Sequence, residues 1–411
     1  YIDFNPFEAR FMDLYLKLFI HPLEAMGIDL FWNDYDVLEN RNALFVLNDY
    51  MTKDMARAGK RSLVLGRNAN FAPHRYPILY SGHNQISFDV LKFLPFFNLT
   101  ATNIGVSYWS HDVGGSVGGI ENSELYIRSV QFGVFSPILR FNTENGTYYK
   151  REPWRWDIVT NNIVTYYLRL RNQLIPYLYT EFYHYHKEGI PLIKPFYYDY
   201  PFAYDDPVYI NQYFLGSSML VSPIVKLNDP LINRTIQRFY IPEGIWYDFK
   251  TGKKFVGDKQ YTLFYKDQDY PVFAKRGTII PLAILDENNL NDTNSPKELE
   301  IHIFPGQSNT YKLYEDDGCS QLLIAIGMLL ESKNNDSTNK TIIVFDESKL
   351  TNENFFKALL LVEKYKLNNL LIVIKGESLN KDFHHKFVQM NFKTISYDIN
   401  NIESFNNKFV E

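Results

Sequence analysis

A chain of 411 residues, 45% of them hydrophobic, is long enough to bury two or three separate cores, which excludes an intrinsically disordered protein. A formal net charge of -5 without a basic block argues against nucleic acid as a partner, and a single cysteine, Cys319, excludes a disulfide framework. No apolar run reaches the roughly 20 residues that span a bilayer, and the first residues lack the basic start and apolar centre of a secretion signal, so no membrane partner and a cytoplasmic location are expected. The chain opens on Tyr1, and a piece of a longer product is therefore expected. Aromatic residues make up 17%. Sugar-stacking platforms would need them, but Ile, Asn and Lys are abundant too, and A/T-rich codons account for all of these together.

Apolar positions at helical spacing (Phe11, Leu14, Leu18, Leu23) predict a helix over 6–26, followed by a buried strand at 27–32. Further strands are predicted at 62–66, 76–80, 104–109 and 134–141, alternating with helical patterns at 88–97 and 124–131. A long helical stretch covers 158–187. Beyond residue 189 the runs alternate between turn signals, as an all-β sandwich does. The polar stretch 285–296 reads as a linker. The expected fold is therefore α/β: a partial (β/α)8 TIM barrel over 1–190, a β-sandwich over 191–284, a linker and start of a distal β domain over 285–318, and a small α/β tail over 319–411.

In a β/α barrel the catalytic groups sit where strands end. The groups at those ends are Asp34 behind Trp32, Arg67, His83, His111 with Asp112 behind Trp109, and Arg140 with Asn142. Any one of them alone is an ordinary polar strand terminus. Five consecutive strand ends carrying a carboxylate, several donors and nearby tryptophans suit glycoside chemistry, which needs a carboxylate at an oxocarbenium-like centre and a proton donor for the leaving oxygen.

The stretches DFNPFEAR, GIDLFWND, NIGVSYWSHDVGG, ELYIRSVQFGVFSPILR, RNQLIPYLY, DYPVFAKRGTIIPL and LYEDDG, in that order, resemble glycoside hydrolase family 31, the α-glucosidase and α-xylosidase family, from the middle of its barrel onward. The resemblance implies a retaining hydrolase of α-glucosides with no cofactor and no metal. Asp34 would be the nucleophile, with two carboxyl groups about 5 to 5.5 Å apart in the parent arrangement. It implies substrate contacts from Trp32, Arg67, Trp109, His111, Asp112 and Asn142. At the acid/base position, where the family keeps an aspartate after glycine, stands His83, and Asn142 replaces a sugar-binding histidine. About five of eight barrel strands are expected, so an oligosaccharide substrate and a complementing N-terminal barrel fragment are the anticipated partners. A catalytically inactive sugar-binding relative is the rival expectation.

The tail segments at 324–335, 341–374 and 394–405 resemble the thiamine-diphosphate domain of transketolase, but Phe345-Asp-Glu-Ser348 lacks the glycines that approach the diphosphate. A degenerate domain that binds nothing is expected there.

Overall fold

The computed structural model describes residues 4–33, 42–58, 61–67, 78–290, 296 and 298–316, and beyond them, by backbone alone, the strands at 328–332, 340–346, 370–375 and 393–397. Asp34 lies outside the described residues.

The first layer is helical. Helix α1 (Ala9–Tyr15) runs through a π-turn into α2 (His21–Ala25), and α3 (Asn42–Met55) follows β1 (Phe31–Asn33). Then come β2 (Val64–Arg67), β3 (Ile78–Tyr80), a short β4 (Gln85–Ile86), α4 (Phe88–Thr102), β5 (Trp109–Asp112), β6 (Val117–Gly119), α5 (Ser123–Val134) and β7 (Ile138–Arg140). The five principal strands lie in the order β1-β2-β3-β5-β7, every pair parallel. That order follows the chain without a reversal, which puts every crossover on one side, as in an arc of a β/α barrel and unlike a doubly wound sheet. Among the described residues the arc stays open, with β1 and β7 as its edges.

The strand expected at 104–109 begins only at Trp109. Gly105 adopts a positive φ of 80°, and the Val106 amide donates back to the Ala101 carbonyl at 3.1 Å, so these residues close the end of α4 instead of extending. The long helix expected over 158–187 is two, α6 (Ile158–Gln173) and α7 (Ile175–Glu188), because Pro176 in the first turn of α7 has no amide hydrogen to continue the ladder. Asp157 caps α6 by accepting from the Val159 and Thr160 amides at 3.0 Å.

The β-rich part follows. A six-stranded sheet joins β8 (Ile193–Pro195), β9 (Tyr213–Leu215), β10 (Met219–Val221), β12 (Ile245–Asp248), β13 (Lys254–Val256) and β15 (Val272–Lys275). A ribbon of β11 (Thr235–Ile241) and β14 (Lys259–Tyr265) packs on it through Phe239, whose ring lies 4.8 Å from that of Phe273. The strands on either side of the polar stretch expected as a linker pair with each other: β16 (Ile279–Ala283) runs antiparallel to β17 (Leu299–Ile303). Strand β18 (Asn309–Leu313) then pairs antiparallel with β19 (Met328–Ser332), β19 pairs antiparallel with β20 (Lys340–Asp346), and β21 (Leu370–Lys375) and β22 (Lys393–Tyr397) follow β20 in parallel.

One apolar cluster runs from Ile86 through α4, α5, α6 and α7 into the β-rich sheets and ends at Leu313. Its seam with the barrel helices is fastened by Arg128 of α5, which is fully buried and donates to the Asp269 carbonyl at 3.0 Å, the Thr235 hydroxyl at 3.1 Å and the Lys266 carbonyl at 3.3 Å. Residues before β3 have a separate small core of Met12, Leu16, Ile20, Leu47, Met51, Met55 and Val64. A second fastening is made by Asp316, whose carboxylate accepts from Arg61 at 3.0 Å and from the Tyr179 hydroxyl at 2.7 Å. No helix among the described residues is long and apolar enough to cross a membrane.

Candidate active site

Side chains on a strand alternate between faces, and in parallel strands register partners share a face. Arg67 registers with Tyr80, Tyr80 with Ser110, and Asp112 with Arg140. These groups meet at the C-terminal ends of the strands, on the side away from the helices.

Asp112 is their centre. Its side chain is completely buried, and Arg140 Nη2 donates to Oδ1 at 2.6 Å while the Tyr80 hydroxyl donates to Oδ2 at 2.9 Å. Burial, and then the Asp112 charge, push the Tyr80 phenol well above its ordinary range, so it stays a donor. The Arg140 guanidinium packs on two aromatic rings, 4.5 Å from the Tyr80 ring centre and 4.7 Å from that of Trp32, and its Nε donates to Ser110 at 3.2 Å. Its Nη1 is buried without a hydrogen-bond partner among the described residues. Arg67 lies over the Tyr80 ring at 5.7 Å, and Trp32 meets the same ring edge-on at 5.6 Å.

His83 stands at the rim with 43% of its side chain exposed. Its Nδ1 turns inward, 4.0 Å from Asp112 Oδ2, 3.5 Å from the Tyr80 hydroxyl and 3.4 Å from Ser116 Oγ. Gly82 before it has a φ of 89°, a conformation that turns the chain sharply off β3 and that a side chain rarely adopts.

The floor behind Asp112 is fixed from below. Gly115 and Gly119 let the chain press on Ile86: a Cβ on Gly119 would sit 2.1 Å from the Ile86 carbonyl oxygen. Arg151 donates to the Gly115 carbonyl at 2.9 Å and pairs with Glu121 at 2.7 Å, both side chains buried. Trp156 stacks on Tyr126 at 5.1 Å, so the Lys150–Trp156 segment acts as a brace.

Trp32, Arg67, His83 and Asp112 are thus brought together, with Asn142 half-buried just past β7. Two of the expected sugar contacts are not with them. Trp109 packs edge-on against Phe97 of α4 at 4.8 Å, and His111 lies 5.0 Å from Phe132 of α5, both buried on the helix-facing side. They share a face because they are two residues apart, and Ser110 and Asp112 take the other. Both ring nitrogens of His111 are buried without partners among the described residues, and burial, then the nearby Arg140, lower its pKa to about 3, so it is neutral. Tyr80, Ser110 and Ser116 belong to the site and are not evident in the sequence; the signal that finds Tyr80 is its register with Arg67 and Ser110.

Away from this site, His21, Glu24 and Asp54 bring ligand-type atoms within 4.8 Å of one another, but Arg57 donates to both carboxylates and fills the space a cation would take.

Residues 1–181 match the glycosyl hydrolases family 31 TIM-barrel domain, and residues 189–280 match the glycosyl hydrolase family 31 C-terminal domain. The chain belongs to glycosyl hydrolase family 31. It is 28% identical over 348 residues to an alpha-xylosidase of Saccharolobus solfataricus, covering 77% of this chain and 46% of the relative. To alpha-glucosidase 2 of Bacillus thermoamyloliquefaciens it is 31% identical over 281 residues, or 67% of this chain and 34% of the relative. The fold matches that of a family 31 dextranase from Flavobacterium johnsoniae complexed with isomaltotriose, with a TM-score of 0.71, 24% identity, and coverage of 83% of this chain and 45% of that one. This member of the family therefore spans less than half the length of these relatives.

Proposed function

We propose that the chain carries the strand ends of a retaining α-glycoside hydrolase acting on α-glucosides, with Asp34 as nucleophile, His83 at the acid/base position, and Trp32, Arg67, Asp112 and Asn142 toward the substrate. The observation that carries this reading is the convergence of Trp32, Arg67, His83, Asp112 and Arg140 at one end of an in-order parallel sheet. The buried Nη1 of Arg140, without a partner among the described residues, is a donor that a sugar hydroxyl would satisfy. Trp109 and His111 are assigned to packing. The open β1 and β7 edges fit a partial (β/α)8 barrel completed by a further β/α segment, in the same or another polypeptide. Hydrolysis of a chromogenic α-glucoside, measured with the chain alone and with such a complementing segment, should vanish in Asp34→Ala. Sugar binding without turnover in both forms would defeat the reading.

A catalytically inactive, sugar-binding relative is the second reading. It is favoured by the way Arg140 and Tyr80 each occupy one oxygen of Asp112 while Arg140 covers the Trp32 ring. On that reading His83→Asp leaves hydrolysis at background; a large gain would show an intact site lacking only its acid. The tail is read as a degenerate transketolase-like segment, supported by its three parallel strands. Calorimetry of the full chain with thiamine diphosphate is expected to register no binding.

A further inference from the structure

We infer that His83 is one end of a built relay, in which Asp112, Tyr80 and Ser116 hold its ring in the Nδ1–H form and offer Nε2 to the cleft. Three oxygens face Nδ1, and each has a lone pair to spare for it. Asp112 Oδ2 is a carboxylate oxygen 4.0 Å away. The Tyr80 hydroxyl spends its proton on that carboxylate at 2.9 Å, so at 3.5 Å from Nδ1 it can only accept. Ser116 Oγ, at 3.4 Å, receives the Asn84 amide at 3.1 Å and can turn its own proton to the Asn84 carbonyl at 3.4 Å, which leaves an acceptor toward the ring.

The partner of one ring nitrogen decides the state of the other. With the proton fixed on Nδ1, Nε2 is a bare lone pair on the exposed side of a ring whose inner side is surrounded. The separations are long for hydrogen bonds, as those of catalytic groups are before substrate arrives. The ring is placed by the chain as well: Gly82 at φ 89° and the pairing of the Ser116 amide with the Asn84 carbonyl at 2.7 Å hold His83 on the segment that carries Ser116.

The inference deepens the hydrolase reading and rests on it only for its catalytic consequence. In that reaction the imidazolium gives its Nε2 proton to the leaving glycosidic oxygen as the C–O bond breaks. The neutral ring that remains keeps Nδ1–H and takes the proton of the attacking water on Nε2 in the second step. Tyr80 and Ser116 are positioning residues here, since they act through the imidazole.

The test reads the tautomer itself. Nitrogen-15 spectra of the full chain labelled at histidine, with His83 assigned by the loss of its signals in His83→Asn, are recorded above the ring's titration. Nδ1–H should outnumber Nε2–H, because a net hydrogen bond of about 1.4 kcal/mol shifts the ratio about tenfold away from the Nε2–H form that a free imidazole prefers. Ser116→Ala with Tyr80→Phe should move the population toward Nε2–H. A wild-type ring in the Nε2–H form overturns the inference without any variant having to fold, and so does a ratio unmoved in the folded double variant. Turnover of an α-glucoside is scored separately: a chain with no turnover but an Nδ1–H ring would sink the hydrolase reading and leave the relay standing.

Discussion

The two ends of the barrel arc are built differently. Around α4, α5, α6 and α7 the apolar core continues without a break into the β-rich sheets, and Arg128 is buried across the seam. Around α1, α2 and α3 the core is a small satellite, and Leu18 and Met26 remain 73% and 81% exposed. Both regions contribute to one cleft, yet only one is held by the bulk of the molecule. The strand ends of His83, Asp112 and Arg140 stand on the well-packed part, and Trp32 and Arg67 on the lightly packed one.

Breaking the seam is the harshest way to probe that contrast. Arg128→Ala leaves several carbonyls and the Asp267 carboxylate facing a cavity, and should cost about 3–5 kcal/mol in denaturant unfolding. A loss under about 1 kcal/mol would mean that the seam is not a core. A milder change, Met51→Ala in the satellite core, should cost about 2–3 kcal/mol, because an edge site relaxes into the space. Hydrogen exchange should then show lost protection in α1, α3 and β2 with α5 and α6 unchanged; uniform loss across the chain would erase the distinction between the two regions.

Acid sharpens the comparison from the other side. His111 is neutral in the folded chain, with its pKa lowered to about 3, while the unfolded chain binds a proton below about 6.5. Its contribution is therefore fully present above pH 6.5 and is lost as the pH falls toward 3, by about 1.4 kcal/mol per unit, or about 2 kcal/mol between pH 6.5 and 5. The loss falls on the well-packed region. His111→Leu should show a correspondingly shallower fall in unfolding free energy over that interval, and identical pH slopes for the two proteins would contradict the assignment.

The order of strands and the gathering of polar groups at their ends were legible in the sequence, because short apolar runs between helical patterns mark strand and crossover directly. Which face a strand residue takes was not. At 104–112 the apolar run includes the turn that closes α4, and a strand entered at the wrong residue exchanges its faces. The sequence reading sent Trp109, His111 and Asp112 alike to the substrate, whereas only Asp112, with Ser110, takes the cleft side. Tyr80 was hidden for a related reason: at the end of Ile78-Leu79-Tyr80 it reads as apolar packing, and only pairing with β2 and β5 turns it toward Asp112. The loop at 285–296 had the composition of a linker, and composition is blind to whether the strands on either side pair. Asp34 lies outside the described residues, and its role is read from the motif, while Trp32 on the same strand end is placed by its contacts with Arg140 and Tyr80.

The ion pair of Arg61 with Asp316 joins residues 255 positions apart. During synthesis at about 5–20 residues per second, Arg61 leaves the ribosome some 10–50 s before its partner exists. For that interval the lightly packed end of the arc waits without the ion pair that fastens it, and loop closure over such a span comes late in folding. The nascent chain is thus most open to proteases and chaperones at the segment that presents Trp32 and Arg67, and the cleft is completed only as the last turns of the β-rich part emerge.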